Sequence, residues 1–137
     1  MIKISILIFG VLLFYGCNSF PEKKELVGKW KVIKFDSEIK DISPVIIELG
    51  NKEALSTMYI FNDDNSMILS SRSNPNLTGK YELNAEKKTL TFYYKDENTG
   101  EDFTDIFTIK NFDDATMTLE QSLGEQDFII LTLNKLE

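Results

Sequence analysis

Apolar and polar residues alternate with a period of two through most of this chain. Tyr59 and Phe61 share one parity within their run, as do Met67 and Leu69, Tyr81 and Leu83, and Leu90, Phe92 and Tyr94. The pattern continues through Phe107 and Ile109, Met117 and Leu119, and Ile129, Leu131 and Leu133. Polar residues such as Lys80, Glu82, Thr91, Thr108 and Thr118 take the opposite positions. Successive side chains of a strand point to opposite faces, so this pattern predicts sheet with one face packed and one wet. The strands predicted are 29–35, 57–62, 66–72, 78–83, 89–95, 102–110, 115–121 and 127–135. Short polar links join them, with Gly100 and Gly124 placed where left-handed backbone is expected. Residues 128–131 are apolar on both parities, which predicts a covered outer face. Many short strands at hairpin spacing make an all-β antiparallel meander, closed as a barrel or folded as a two-sheet sandwich.

One segment breaks the rhythm. Ser43-Pro44 is a capping residue followed by proline at a first helical position, and Glu48 and Lys52 are spaced as a helical pair. Gly50 and the Val45-Ile46-Ile47 run argue for extended chain instead. The segment 43–55 is therefore a short helix or a structured loop between strands one and two. Its apolar residues need a cover, and an open end of the β body is the expected one.

The first seventeen residues have a different character. Lys3 precedes an uncharged run from Ile4 to Tyr15, and Gly16 stands directly before Cys17. Charged start, apolar middle and small residue at the cut are the layout of a secretory signal. About 13 residues at roughly 1.5 Å each span about 20 Å, too little for the roughly 30 Å hydrocarbon core of a bilayer. Cys17 is the only cysteine, so it has no partner for an internal disulfide. The arrangement resembles the lipobox of bacterial lipoproteins, whose signal is cut before a cysteine that is then lipidated. Phe14 and Tyr15 depart from the usual Leu and small residue of that motif. The expected organisation is a signal peptide over 1–16, a lipidated tether over 17–25 broken by Pro21, and one folded domain over 26–137. Lipid chains contribute about 0.8 kcal/mol per buried methylene, so such an anchor needs no spanning helix.

Composition narrows the chemistry. The formal net charge is −7, and the loss of Lys3 with the signal makes it −8. Arg72 is the only arginine and the lysines are scattered, which excludes a nucleic-acid surface built on phosphate contacts. There is no histidine, the commonest neutral-pH acid/base and metal ligand. Asn62-Asp63-Asp64-Asn65 lacks the spacing and closing Glu of a calcium loop and reads as a turn. Neither a cofactor, a metal nor catalysis is expected from these residues.

Gly28-Lys29-Trp30 opens the first strand, and Tyr59–Asp64, Gly79–Leu83, Leu90-Thr91-Phe92 and Met117-Thr118-Leu119 follow in order. Together these resemble the lipocalin-like domains of small lipoproteins from Gram-negative bacteria, over roughly residues 26–136. The resemblance implies an eight-stranded up-and-down barrel of lipocalin/calycin type. It also implies that Gly28 and Trp30 close one end of the barrel. The Arg that commonly meets that Trp is absent; Lys135 stands near its place and is able to lay its methylenes and charge over the indole. The resemblance further implies binding of a small hydrophobic ligand, with Phe61, Tyr81, Phe92, Tyr94 and Phe107 as inward pocket residues and Val45–Leu49 as a partial lid. A barrel of eight strands is also able to be filled by its own side chains. The alternative function is then an envelope lipoprotein with a filled core that meets a protein partner. Either way the expected state is a monomer, lipid-anchored in the cell envelope, with the outer membrane the expected site.

Overall fold

Hydrogen-bonded pairing joins β1 (Gly28–Glu38), β2 (Met58–Phe61), β3 (Ser66–Ser70) and β4 (Leu77–Asn84) in sequence. It continues through β5 (Thr89–Lys95), β6 (Asp102–Phe112), β7 (Thr116–Ser122) and β8 (Phe128–Lys135), and β8 returns to β1. This computed structural model describes residues 20–96 and 98–136. The signal segment 1–16 and Cys17 lie outside the described residues. Every neighbouring pair is antiparallel, and the β1–β8 ladder runs from Trp30 opposite Lys135 to Glu38 opposite Phe128. That ladder closes the sheet and excludes the sandwich. The architecture is an eight-stranded up-and-down barrel with a short helix between β1 and β2.

Two bulges correct the simple alternation. In β1 the register shifts between Val32 and Lys34, so Trp30 and Val32 point inward, Ile33 faces water, and inward parity resumes at Phe35. In β6 a shift between Ile109 and Asn111 lets the strand run two residues past its expected end, and Phe112 enters the core. An extra residue on one strand resets which face each later side chain meets. Gly28 and Gly100 have φ of 138° and 73°, in the region that disfavours a side chain, whereas Gly124 does not need it.

The part of the 17–25 tether that the structure describes is folded. Phe20 packs against the core, and Lys23–Leu26 makes one helical turn, α1. Glu25 Oε1 accepts from the Glu22 backbone N–H at 3.0 Å, and Leu26 is fully buried. Polar composition suggested a linker; two apolar residues, Phe20 and Leu26, override it by burial.

α2 (Pro44–Leu55) settles the helix-or-loop alternative as helix. Ser43 Oγ accepts from the Val45 N–H at 3.3 Å, Pro44 occupies the first turn, and Lys52 pairs with Glu48 at 3.6 Å. The helix crosses the end of the barrel where β1 finishes and β2 begins. Its C-terminal half is clamped there: Lys31 Nζ donates to the Leu55 carbonyl at 2.7 Å, and Ser73 donates to the Glu53 carboxylate through both its backbone N–H and its hydroxyl. Its N-terminal half is not covered as expected. Val45 and Leu49, 64% and 60% exposed, point away from the face that carries Gly50 and Ala54, and Ile46, one turn before Gly50 on that face, is still 55% exposed.

Candidate functional site

The two ends of the barrel are built differently. At one end Trp30 is completely buried, its Nε1 donates to the Leu26 carbonyl at 2.8 Å, and Phe112 packs at 5.9 Å between centroids. Lys135 Nζ lies 5.7 Å from the centre of the indole and donates to the Glu25 carbonyl at 2.8 Å. A cation over the ring face and an aromatic at its edge close this end and hold α1 against it. Gly28 sits directly before this group, at the start of β1.

The middle of the barrel is filled. Phe92 lies 5.1 Å from Tyr59, 5.8 Å from Phe61 and 5.3 Å from Phe107, and Phe61 meets Tyr81 edge-on at 5.1 Å. Tyr81 Oη donates to the Asn62 carbonyl at 2.7 Å, which turns its polar tip out to the β2–β3 turn. Of the five aromatic residues expected to line a pocket, Phe61, Tyr81 and Phe92 are therefore in the packed core. Phe107 faces a cavity, and Tyr94 stands beside it, joined to one of its lining residues.

That cavity, about 300 Å³, lies at the mouth beneath α2. Val32, Phe35, Ile129 and Leu131 form its apolar wall, and Tyr59 and Phe107 its floor. Gly50, Glu53 and Ala54 make the roof, so the lid is the second half of α2 and not Val45–Leu49. Gly50 and Ala54 are four residues apart on one helix face, and a Cβ built at Gly50 meets nothing within 4 Å. Small side chains on the roof leave the space open. Larger hollows of about 470 and 590 Å³ lie near Tyr94 and Phe103, but exposed loop and outer-strand residues make up most of their walls. The mouth cavity is the one whose walls are core residues, and pockets that hold small molecules are concave and mostly apolar with a few placed polar groups.

Its polar lining residues include Glu53, Thr57, Gln121 and Asp105, and Asp105 stands two residues before the buried Phe107 on β6. The Asp105 carboxylate accepts from Tyr94 Oη on one oxygen and from Gln121 Nε2, at 3.2 Å, on the other. Burial and then this hydrogen bond raise the Tyr94 phenol above its ordinary value near 10; burial, with the nearby Asp105 charge, does the same for Tyr59. The sign of the linkage follows. A raised native pKa gives stability that is complete below pH 10 and lost as pH rises above it. Stability measured by urea unfolding is expected to fall as pH rises above about 10, and a Tyr59→Phe, Tyr94→Phe variant to lose much of that slope. An identical slope in both proteins would show that neither phenol is held neutral by the fold.

Asp105 escaped the sequence reading, although the signal was there. Counting back by two from inward Phe107 places an aspartate on the inner face of β6, where alternation calls for an apolar residue. Val32, two past inward Trp30, and Gln121, two past inward Leu119, carry the same signal; Phe35, Gly50 and Ala54 were missed for a different reason. They meet only through the β1 bulge and the path of α2, neither of which alternation encodes.

A closed up-and-down barrel with a helix across one end and a buried Trp at the other is a lipocalin-like fold. Among solved structures the chain is similar to a lipocalin-like protein from Bacteroides uniformis ATCC 8492, with a TM-score of 0.51. The match covers 82% of this chain and 99% of that one at 16% identity, which is a likeness of fold. No family model matches the sequence, and no curated relative does.

Proposed function

We propose that this protein is a non-catalytic binding protein that holds a small apolar molecule at the barrel mouth beneath α2. The cavity of about 300 Å³, walled by core residues and roofed by Gly50 and Ala54, carries this reading. No histidine or cysteine side chain is available among the lining residues to pair with Asp105 as nucleophile or base, which supports binding without chemistry. Burial of eight carbons at about 0.8 kcal/mol each sets an upper bound near 6 kcal/mol, so n-octanol should bind with a Kd between about 40 μM and the millimolar range.

Gly50→Leu tests this. Leucine at this position fills the roof and removes a helix-interior glycine, so stability should rise by about 0.5–1 kcal/mol. Calorimetric titration with n-octanol should show at least about tenfold weaker binding than in the parent, the step expected when a ligand must share its pocket with four added carbons. Unchanged octanol affinity in the stabilised variant counts against the mouth cavity as the site.

The same reading makes the protein a lipoprotein of the bacterial envelope, lipidated at Cys17. Lys3, the apolar run and Gly16-Cys17 support it. Two residues, Asn18 and Ser19, separate Cys17 from Phe20, which packs on the core; three steps of at most about 3.6 Å reach about 11 Å. A tether that short keeps Phe20 close to the membrane surface. Cys17→Ala should release the protein from membranes into the soluble fraction, and continued membrane association would contradict the anchor. The alternative reading, a lipoprotein that meets a protein partner and takes no ligand, draws on the exposed Val45, Ile46 and Leu49 of α2.

A further inference from the structure

The mouth cavity contains negative charge and no positive charge. Its lining includes the carboxylates of Asp105 and Glu53 and not one lysine or arginine. The two groups differ in their engagement. Glu53 is bound through Ser73, whose hydrogen bonds, with Ser71 and the charge of Arg72 outside the lining, hold its carboxyl below the usual range. Asp105 has only the neutral donors Tyr94 Oη and Gln121 Nε2, and among the described residues no ion pair includes it. A carboxylate has room for about four hydrogen bonds over its two oxygens, so acceptor capacity remains after these two.

From this we infer that the pocket selects its ligand by head-group charge. It takes a short apolar chain that ends in a cationic N–H donor, such as a primary ammonium, and rejects the carboxylate of a fatty acid. The inference rests on the mouth cavity being a binding site. An ammonium beside Asp105 gains opposite charge and charge-assisted hydrogen bonds in a region where water is partly excluded. A carboxylate head group there meets like charge on Asp105 and Glu53 with no cation between them. An uncharged alcohol falls in the middle. Size follows from volume: at roughly 30 Å³ per non-hydrogen atom, as for liquid water, 300 Å³ holds on the order of ten such atoms. The net charge of −7 also draws cations diffusely. At about 0.15 M salt the Debye length is about 8 Å, so that contribution is largely screened.

The test is calorimetric titration with n-octylamine, n-octanol and n-octanoate at pH 7 and 0.15 M salt, on the parent and on Asp105→Asn. The parent should bind octylammonium at least about tenfold more tightly than octanol, the order of effect of one charge-assisted hydrogen bond, and octanoate most weakly. Asn at 105 retains an acceptor for Tyr94 Oη, and Gln121 is free to turn its amide to suit. In that variant the ratio of octylammonium to octanol affinity should fall from at least about ten to about one. If octanol binds and octanoate matches or exceeds octylammonium in the parent, the charge selection is wrong and the pocket stands. If a preference for octylammonium survives in folded Asp105→Asn, the selection does not come from Asp105 and the inference fails. If none of the three binds, the pocket reading falls and this inference with it.

Discussion

Trp30→Ala should lower the unfolding free energy by about 3–5 kcal/mol, the usual cost of truncating a large buried aromatic residue. Three separate contacts lie behind that figure. The indole is fully buried, its ring packs on Phe112, and its N–H satisfies the Leu26 carbonyl. Removal also exposes the underside of α1 and leaves Lys135 Nζ without the ring below it. Domains of this size have about 5–15 kcal/mol in total, so the variant should sit close to its unfolding midpoint at moderate temperature. Trp30→Phe separates the contributions. It restores most of the packing but leaves the Leu26 carbonyl unpartnered, which costs about 1–3 kcal/mol. Urea unfolding of the three proteins checks the order. Because Trp30 is the only tryptophan, the parent's fluorescence maximum must be that of an indole out of water; an exposed-type spectrum in the folded protein would overturn this account of the closed end.

Phe92→Ala should cost a similar amount, about 3–5 kcal/mol, at the centre of the barrel. Phe92 is in ring contact with Tyr59, Phe61 and Phe107, which come from β2 and β6, while Phe92 itself is on β5. Those three rings are held by strands on either side and have little freedom to collapse into the space. A large cavity term is therefore expected on top of the lost transfer energy. Two of the neighbours, Tyr59 and Phe107, form the floor of the mouth cavity, so the loss should also loosen that floor. Phe92→Leu, which refills most of the volume, should recover more than half of the stability. A loss below about 1 kcal/mol for Phe92→Ala, the size of a typical surface change, would mean the barrel is not filled at this level.

The strands were legible because an antiparallel sheet with one packed and one wet face alternates apolar and polar residues; closure was not, because a sandwich alternates in the same way. Tyr59, Phe61, Phe92, Phe107 and Leu119 all point inward at the parity their neighbours in sequence predict. Trp30 is fully buried, and Lys135 Nζ lies 5.7 Å from the centre of its ring. The departures have local causes. Bulges at Ile33 and Lys110 shift parity, which is how Phe35 and Phe112 reached the interior unannounced. Residues 20–25 look like linker by composition, yet Phe20 and Leu26 bind the segment to the closed end. α2 was visible in its Ser43 cap and Pro44, but not its rotation about its own axis. Covering the barrel with Val45, Ile46 and Leu49 is the expected choice on hydrophobicity alone. The structure instead presents Gly50 and Ala54, which bring the helix near without filling the mouth. That choice is what creates a cavity, and it moves the pocket from the aromatic centre of the barrel to its rim.

The central claim is that a small apolar molecule is held at this rim, and amide chemical shifts report on it residue by residue. Titration of the isotopically labelled protein with n-octanol should move the signals of Gly50, Ala54, Thr57, Asp105 and Gln121, and leave the Trp30 indole N–H and the Met117 amide where they were. Shifts confined to Val45 and Leu49 on the outer face of α2, or no shifts at saturating octanol, would contradict it.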